Sequence, residues 1–352
     1  MILITGVAGF IGSNYAHFVA KQHPDYQLIG VDKLTPYSCR DNIRDLEASG
    51  RLIFHQVDIV DQQALAELYQ KYGINYVVNF AAESHNDRAI NNPTSFVHSN
   101  VVGAQTILEV SRLHGVKRHV HISTIEVYGE QGETVPYFDE SSPLNAKTPY
   151  SASKAAGDII VRSYMQTYPD MDIAMTHCAN NYGPFQFPEK LIPLAITNIL
   201  RGKKALLYGD GLQKRDWLHV EDHCRGIDLV VHCPASSINE NAATNPGLLP
   251  IYDFSARHEL TNIEILQKIC KVLGKEFESC VQFVADRPNH DRRYLINPEK
   301  AERELGFRPE VEFDAGMEAT VAWYIDNRQW WENIIDTTGE LAIDWATPSL
   351  SK

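Results

Sequence analysis

The sequence predicts an α/β protein, a doubly wound parallel sheet with a smaller α/β lobe attached. Three observations predict it. Up to residue 181, short apolar runs alternate with amphipathic stretches, the order that strand-helix-strand units produce. A turn with glycines at 6, 9 and 12 separates the first apolar run from the first amphipathic stretch. Polar clusters then recur at the ends of the apolar runs, on the edge where right-handed crossovers gather the strand C-termini.

Taken in order, Ile2-Leu3-Ile4-Thr5 reads as the first strand, and strands follow at 27–32, 51–57, 75–81, 117–123 and 172–178. Each is a short apolar run of strand length. Helices are expected near 11–22, 62–72, 94–114 and 149–168, where the pattern is amphipathic. Residues 1–181 form the expected dinucleotide-binding domain of Rossmann type. Beyond Asn181, proline and glycine punctuate shorter elements, as at Gly183-Pro184 and Gly209-Asp210-Gly211. Residues 182–332 are therefore expected to be mainly a substrate lobe, with 215–232 returning a strand and a helix to the first domain. The Ser, Asn and Pro-rich stretch 234–250 reads as a surface loop, and 333–352 as a C-terminal tail. Trp323, Trp330 and Trp331 follow an amphipathic pattern and read as packing residues.

Composition excludes several roles. The formal charge is −13 with no basic block, so nucleic-acid binding is not the expected role. No apolar run approaches the ~20 residues of a membrane span. The N-terminus lacks the pattern of a signal peptide, so a cytoplasmic protein is expected. Six scattered cysteines contain no CxxC pair, so neither zinc nor redox chemistry is expected and no metal ligands are assigned.

The glycine turn allows close approach of a pyrophosphate to the backbone at a helix start. Gly6, Gly9, Phe10, Ile11 and Gly12 are its expected cofactor contacts. Asp32 ends the second strand about 20 residues on, where a carboxylate accepts ribose hydroxyls and repels a 2′-phosphate. NAD is thus expected over NADP, although Lys33 beside Asp32 weakens that preference. Asp58, ending the third strand, is placed for the adenine edge, with Ile59 next to it. Ala81 and Ala82 follow the fourth strand, Ser123 the fifth and Asn181 the sixth.

Tyr150 and Lys154 lie one helical turn apart, so both can face one pocket. A nearby ammonium and a positive nicotinamide favour the phenolate, moving a base of reference pKa about 10 toward neutral pH. Tyr150 is thereby the expected proton acceptor from an alcohol.

The chain resembles the extended short-chain dehydrogenase/reductase superfamily on the glycine turn and Tyr150-x-x-x-Lys154. It resembles most closely the dTDP-glucose 4,6-dehydratases. The narrower resemblance rests on Asn79-Phe80-Ala81-Ala82-Glu83-Ser84-His85, Asn180-Asn181-Tyr182-Gly183-Pro184, Phe187-Pro188-Glu189-Lys190-Leu191-Ile192-Pro193-Leu194, Arg215-Asp216-Trp217-Leu218 and the run from Asp286 to Tyr294.

The resemblance implies oxidation at C4 of a nucleotide-diphosphate sugar, C5 deprotonation by Glu126, loss of the 6-hydroxyl and hydride return to C6. It implies Thr124 and Ser84 near the 4-oxygen, Asn180 facing the substrate, and Lys190, Leu191, Arg215, Arg287 and His290 around the nucleotide. A homodimer pairing helices 94–114 and 149–168 is implied too.

One position departs from the pattern. The family places an aspartate between the Thr and the Glu to protonate the departing hydroxyl, and this chain has Ile125. General-acid help is worth ~10²–10⁴ in rate. Three readings follow: Glu126, Ser84, His85 or water supplies the proton; the enzyme is a variant (5,6-ene-forming dehydratase, C4/C5 epimerase or UDP-glucuronate decarboxylase-like); or the protein binds without catalysis. Ser255-Ala256, where the family usually has Gly-Gly, is expected to bear on substrate choice.

Overall fold

The computed structural model describes residues 1–132, 137–233, 249–286 and 290–338. Its centre is a seven-stranded parallel sheet in the order β10-β6-β5-β4-β1-β2-β3. The strands are β1 Ile2–Thr5, β2 Leu28–Asp32, β3 Leu52–Gln56, β4 Tyr76–Asn79, β5 Arg118–Ile122, β6 Ile173–Cys178 and β10 Ile251–Phe254. β1, β2, β5 and β6 are buried along their whole length, because helices cover both faces. On one face α1 (Phe10–Gln22) and the helix Val220–His232 close a core that includes Ile4, Val19, Ile227 and Phe254. On the other, the helices Gln62–Tyr72 and Ala104–Leu113 bury Leu65, Ile107 and Val110 against Leu3 and Val77.

A second lobe has its own core, built from Tyr182, Ile196, Trp217, Ile269, Val321 and Trp331. Its strands are β7 Asn180–Tyr182, β9 Lys214–His219, β11 Glu259–Thr261 and β13 Arg293–Tyr294, with β8 Ala205–Tyr208 paired to β12 Val281–Val284. Trp330 crosses to the first lobe, its indole N–H donating to Asn42 Oδ1 at 2.8 Å.

Several expectations are corrected here. The helix of 215–232 does return to the main sheet, but its strand β9 belongs to the small sheet. Conversely β10, expected in the second lobe, is an edge strand of the main sheet beside β6. Ser255 follows it, buried, and donates to Asp216. That residue therefore supports the packing between lobes and is not part of the cavity lining. Residues 333–338 continue the helix Arg328–Thr338, with Ile334 and Ile335 buried. The rest of the expected tail, and residues 234–248 of the expected loop, lie outside the described residues.

The helix expected at 94–114 is interrupted by a π-helical stretch, His98–Gly103. A Cβ on Gly103 would lie 2.6 Å from Ile59, so the wider turn passes close to the strand-three loop. Asn100, inside that stretch, donates to Glu83 O at 3.0 Å and to Ser153 Oγ at 2.8 Å, and accepts from Glu83 N at 2.8 Å. It pins the loop after β4 to the helix carrying Tyr150. On the far face His23 and His232 meet Asp228 at 3.0 and 3.2 Å, joining the C-terminal ends of two helices. Among the described residues no helix is long and apolar enough to cross a membrane.

Candidate active site

A cavity of about 450 Å³ opens at the C-terminal edge of the main sheet, between the two lobes. Gly6, with φ +63°, makes the turn out of β1; a Cβ there would sit 2.8 Å from Ala81 N. A Cβ on Gly12 would lie 2.2 Å from Gly6 O, so α1 can start this close to the strand only with glycine. The turn leaves the first amides of α1 facing the cavity, a ready anion site. Phe10, Ile11, Ala81 and Ala82 line it as well.

Asp32 closes one side. Its carboxylate accepts from Ala8 N at 3.1 Å and Leu34 N at 2.8 Å, which fixes the carboxylate against the glycine turn. Burial raises its pKa, and the two backbone N–H groups act in the opposite sense. Lys33 turns to Ser99 Oγ (2.7 Å) and Glu83 (3.4 Å), with Asp58 at 3.9 Å. Its ammonium is paired with acids on the cavity wall beside Asp32. Asp58 and Ile59 line the same end. These features fit a dinucleotide: a pyrophosphate at the helix start and a ribose at Asp32.

Tyr150 and Lys154 stand on the helix Pro149–Thr167, opposite the glycine turn. Thr148 caps that helix, its Oγ1 accepting from Ser151 N at 3.2 Å, and Pro149 occupies the first position. Thr124 caps the short turn Ile125–Tyr128 after β5 and lines the cavity near the Tyr150 phenol. Burial, then the Glu126 charge, pushes Tyr150 well above the usual phenol value, and Thr124 acts in the opposite sense. The expected lowering by Lys154 is thus not supplied by the protein's own groups. Lys154 Nζ donates to Ile122 O at 2.8 Å, and burial lowers its pKa while Asp158 raises it.

Glu126 is half-buried on the cavity wall, its Oε2 accepting from Asn86 Nδ2 at 2.9 Å. Ile125 is only 2% exposed and packs with Val127, Tyr128, Phe138, Ala155, Tyr294 and Ile296. Ser123 lines the cavity, but its hydroxyl donates to buried Asp158 at 2.8 Å.

The second-lobe residues enter from the far side. Asn180, Leu191, Arg215 and His290 line the cavity, and Ser84 lines it from the first lobe. Lys190 Nζ donates to Ser84 O at 2.6 Å, bridging the lobes. Arg215 is buried over the Tyr294 ring at 4.1 Å and donates to Asp291 O at 2.8 Å. His290 Nδ1 meets Asp286 at 2.6 Å. Asn181 lines the cavity too, but its amide donates to Ala179 O and meets His223 Nδ1, each at 2.9 Å. Arg287 lies outside the described residues.

Sequence reasoning missed Asn86, Asn100 and Tyr294 as parts of this region. Asn86 directly follows the quoted string ending in His85, but its partner Glu126 is 40 positions away, and no spacing links them.

A glycine turn, a strand-end carboxylate and a Tyr-Lys couple around one cleft define a class: Rossmann-type dinucleotide enzymes of the extended short-chain dehydrogenase/reductase kind. The chain belongs to the GDP-mannose 4,6 dehydratase family, which it matches over residues 3–320. It is 39% identical to a dTDP-glucose 4,6-dehydratase of Neisseria meningitidis serogroup B, over 95% of this chain and 96% of that one. It is 42% identical to the dTDP-glucose 4,6-dehydratase of Streptomyces antibioticus, over 94% of each. The fold superposes on the dTDP-glucose 4,6-dehydratase DesIV of Streptomyces venezuelae, solved with NAD bound, with a TM-score of 0.85. That pair is 43% identical, over 95% of this chain and 99% of the other.

Proposed function

We propose that this protein is an NAD-dependent nucleotide-sugar 4,6-dehydratase acting on a dTDP-glucose-like substrate. The observation that carries this reading is the grouping of Tyr150, Thr124 and Glu126 on one wall of a cavity whose opposite wall is a glycine turn. Residues 1–181 hold the cofactor, and 182–332 supply most of the nucleotide-sugar contacts.

When bound, NAD accepts hydride from C4, returns it at C6, and brings a positive ring that offsets the upward shift of Tyr150. Tyr150 takes the 4-hydroxyl proton while Thr124 and Ser84 hold that oxygen. The ketone acidifies C5, and Glu126 removes its proton. The C6–O6 bond then breaks, its electron pair leaving on oxygen as C5=C6 forms. Ile125 cannot protonate that oxygen, so Glu126 hands on the C5 proton and water departs. After C6 is reduced, C5 takes up a proton, balanced by the one Tyr150 took from O4. Gly6, Gly9, Gly12 and Asp32 hold pyrophosphate and ribose; Arg215 and Lys190 face the nucleotide end.

Incubation with dTDP-glucose in D2O tests the reading. The expected product has lost water and carries deuterium at C5. Deuterium at C5 with the 6-hydroxyl retained identifies an epimerase instead, the reading that the lack of an acid at position 125 favours next. Binding with no exchange and no product overturns the enzymatic reading.

The same proposal includes a homodimer. Val97, Val102 and Ile159 are 49%, 43% and 59% exposed on the two adjacent helical segments expected to pair. Light scattering at twice the chain mass is the expected result.

A further inference from the structure

Asn86 begins the short helix Asn86–Asn91 after β4, and both ends of its amide are held. Thr148 Oγ1 donates to Asn86 Oδ1 at 2.7 Å, and Asn86 Nδ2 donates to Glu126 Oε2 at 2.9 Å. The Thr148 hydroxyl has one proton and already accepts from Ser151 N. A carboxylate oxygen only accepts, so the NH2 points to Glu126 and Oδ1 is left to accept the Thr148 proton. The reverse orientation would set an amide oxygen against a carboxylate.

The chain of contacts has a mechanical consequence. Thr148 caps the helix that carries Tyr150, and Glu126 sits on the turn after β5. Asn86 therefore holds the carboxylate in register with the helix bearing the phenol. The three come from separate elements, so no local preference keeps them together.

We propose that Asn86 is a positioning residue for Glu126. It occupies Oε2, so that Oε1 is the oxygen that takes the C5 proton and passes it to the departing O6. This rests on the reaction assigned above to Glu126. A carboxyl group whose one oxygen accepts an N–H carries its proton on the other. With Ile125 unable to donate, the same group must be base and then acid, and both transfers need the oxygen that faces the sugar. A freely rotating carboxyl would place its proton on either oxygen, including the one turned from the leaving group. Atoms balance as before: the C5–H bond breaks to Oε1, C6–O6 breaks, and the Oε1 proton completes water.

The test uses the holoenzyme with C5-deuterated dTDP-glucose in single turnover. Two readouts are compared: reduced-nicotinamide absorbance, which reports C4 oxidation, and release of deuterium from C5. Asn86→Ala is expected to lower the ratio of C5 release to nicotinamide reduction about tenfold or more. Asn86→Asp, isosteric, sets a second carboxyl against Glu126, so the two share a proton. The acid limb of the pH profile for C5 release is then expected to move up by about one unit. Melting temperature and retained NAD check the fold of both variants. Should alanine fail to fold, the aspartate profile decides. Wild-type release combined with an unchanged ratio in Asn86→Ala, or an unmoved profile in Asn86→Asp, overturns the role of Asn86 alone. Wild-type enzyme that reduces nicotinamide without releasing C5 deuterium overturns the assignment of Glu126, and this role with it.

Discussion

Lys154 Nζ donates to the Ile122 carbonyl at 2.8 Å, joining the end of β5 to the helix that carries Tyr150. That bond holds a buried ammonium at the floor of the cleft, one turn from the phenol. Lys154→Met removes the charge and leaves a buried carbonyl unpaired, a cost of about 1–3 kcal/mol. The expected outcome is a lower melting temperature and weaker NAD binding in fluorescence titration. Tyr150→Phe keeps the packing on Phe96 but removes the base, so nicotinamide reduction should fall ~10²–10⁴-fold. A phenylalanine variant that reduces nicotinamide at the wild-type rate rejects Tyr150 as the base.

Asp32 is held by two backbone amides, so its position outlasts loss of the ligand. Hydrogen bonds to charged groups are worth about 1.5–3 kcal/mol. Asp32→Ala should therefore weaken NAD binding by roughly tenfold to a hundredfold. Isothermal titration of the apoprotein measures it; equal affinity would place the ribose elsewhere.

A pH dependence of stability is built in beneath the cleft. His177 is fully buried between Asp158 at 3.1 Å and Asp253 at 2.9 Å. Burial opposes its charge, yet hydrogen bonds to Asp158 and Asp253 outweigh this and push the imidazole up to about 9. Burial, then the neighbouring Asp253, pushes Glu140 up to about 7. Both groups hold protons more tightly when folded. Their contribution is complete below the unfolded values and is lost as pH rises through the folded ones. The Glu140 share is lost between about pH 4.5 and 7 and the His177 share between about 6.5 and 9, so the melting temperature should fall over the latter window and His177→Gln should flatten that decline. A melting temperature rising over this window would contradict a charged His177.

Ile125→Asp brings an acid into an apolar cluster that borders the cavity. Burial favours its protonated form, the form that donates. The expected result is a lower melting temperature with at least a tenfold faster loss of water relative to C4 oxidation. Quench-flow product analysis separates the two steps. No gain, with wild-type elimination already fast, would leave Glu126 as a sufficient donor.

The cofactor half of the site was legible because its signals are local. The glycine spacing, the strand-end Asp32 and the one-turn Tyr150–Lys154 pair each act within a single turn or a strand and its loop. The resemblance added Thr124, Glu126 and second-lobe residues that line the same cavity. It did not reveal that the Ser123 hydroxyl and Asn181 amide bond to protein groups, because a side chain's direction depends on partners such as Asp158 and His223.

The amino-acid order by itself determined the alternating strands and helices, the glycine turn and the side of the helix that Tyr150 and Lys154 share, since hydrophobic period and backbone sterics operate over a few residues. Only the tertiary structure decided that β10 joins the main sheet, that Ile125 packs with Phe138, Tyr294 and Ile296 on the cavity wall, and that Asn86 holds Glu126. Those outcomes join residues tens of positions apart. They are set by which surfaces bury together and which buried polar groups find partners, and no local period encodes either.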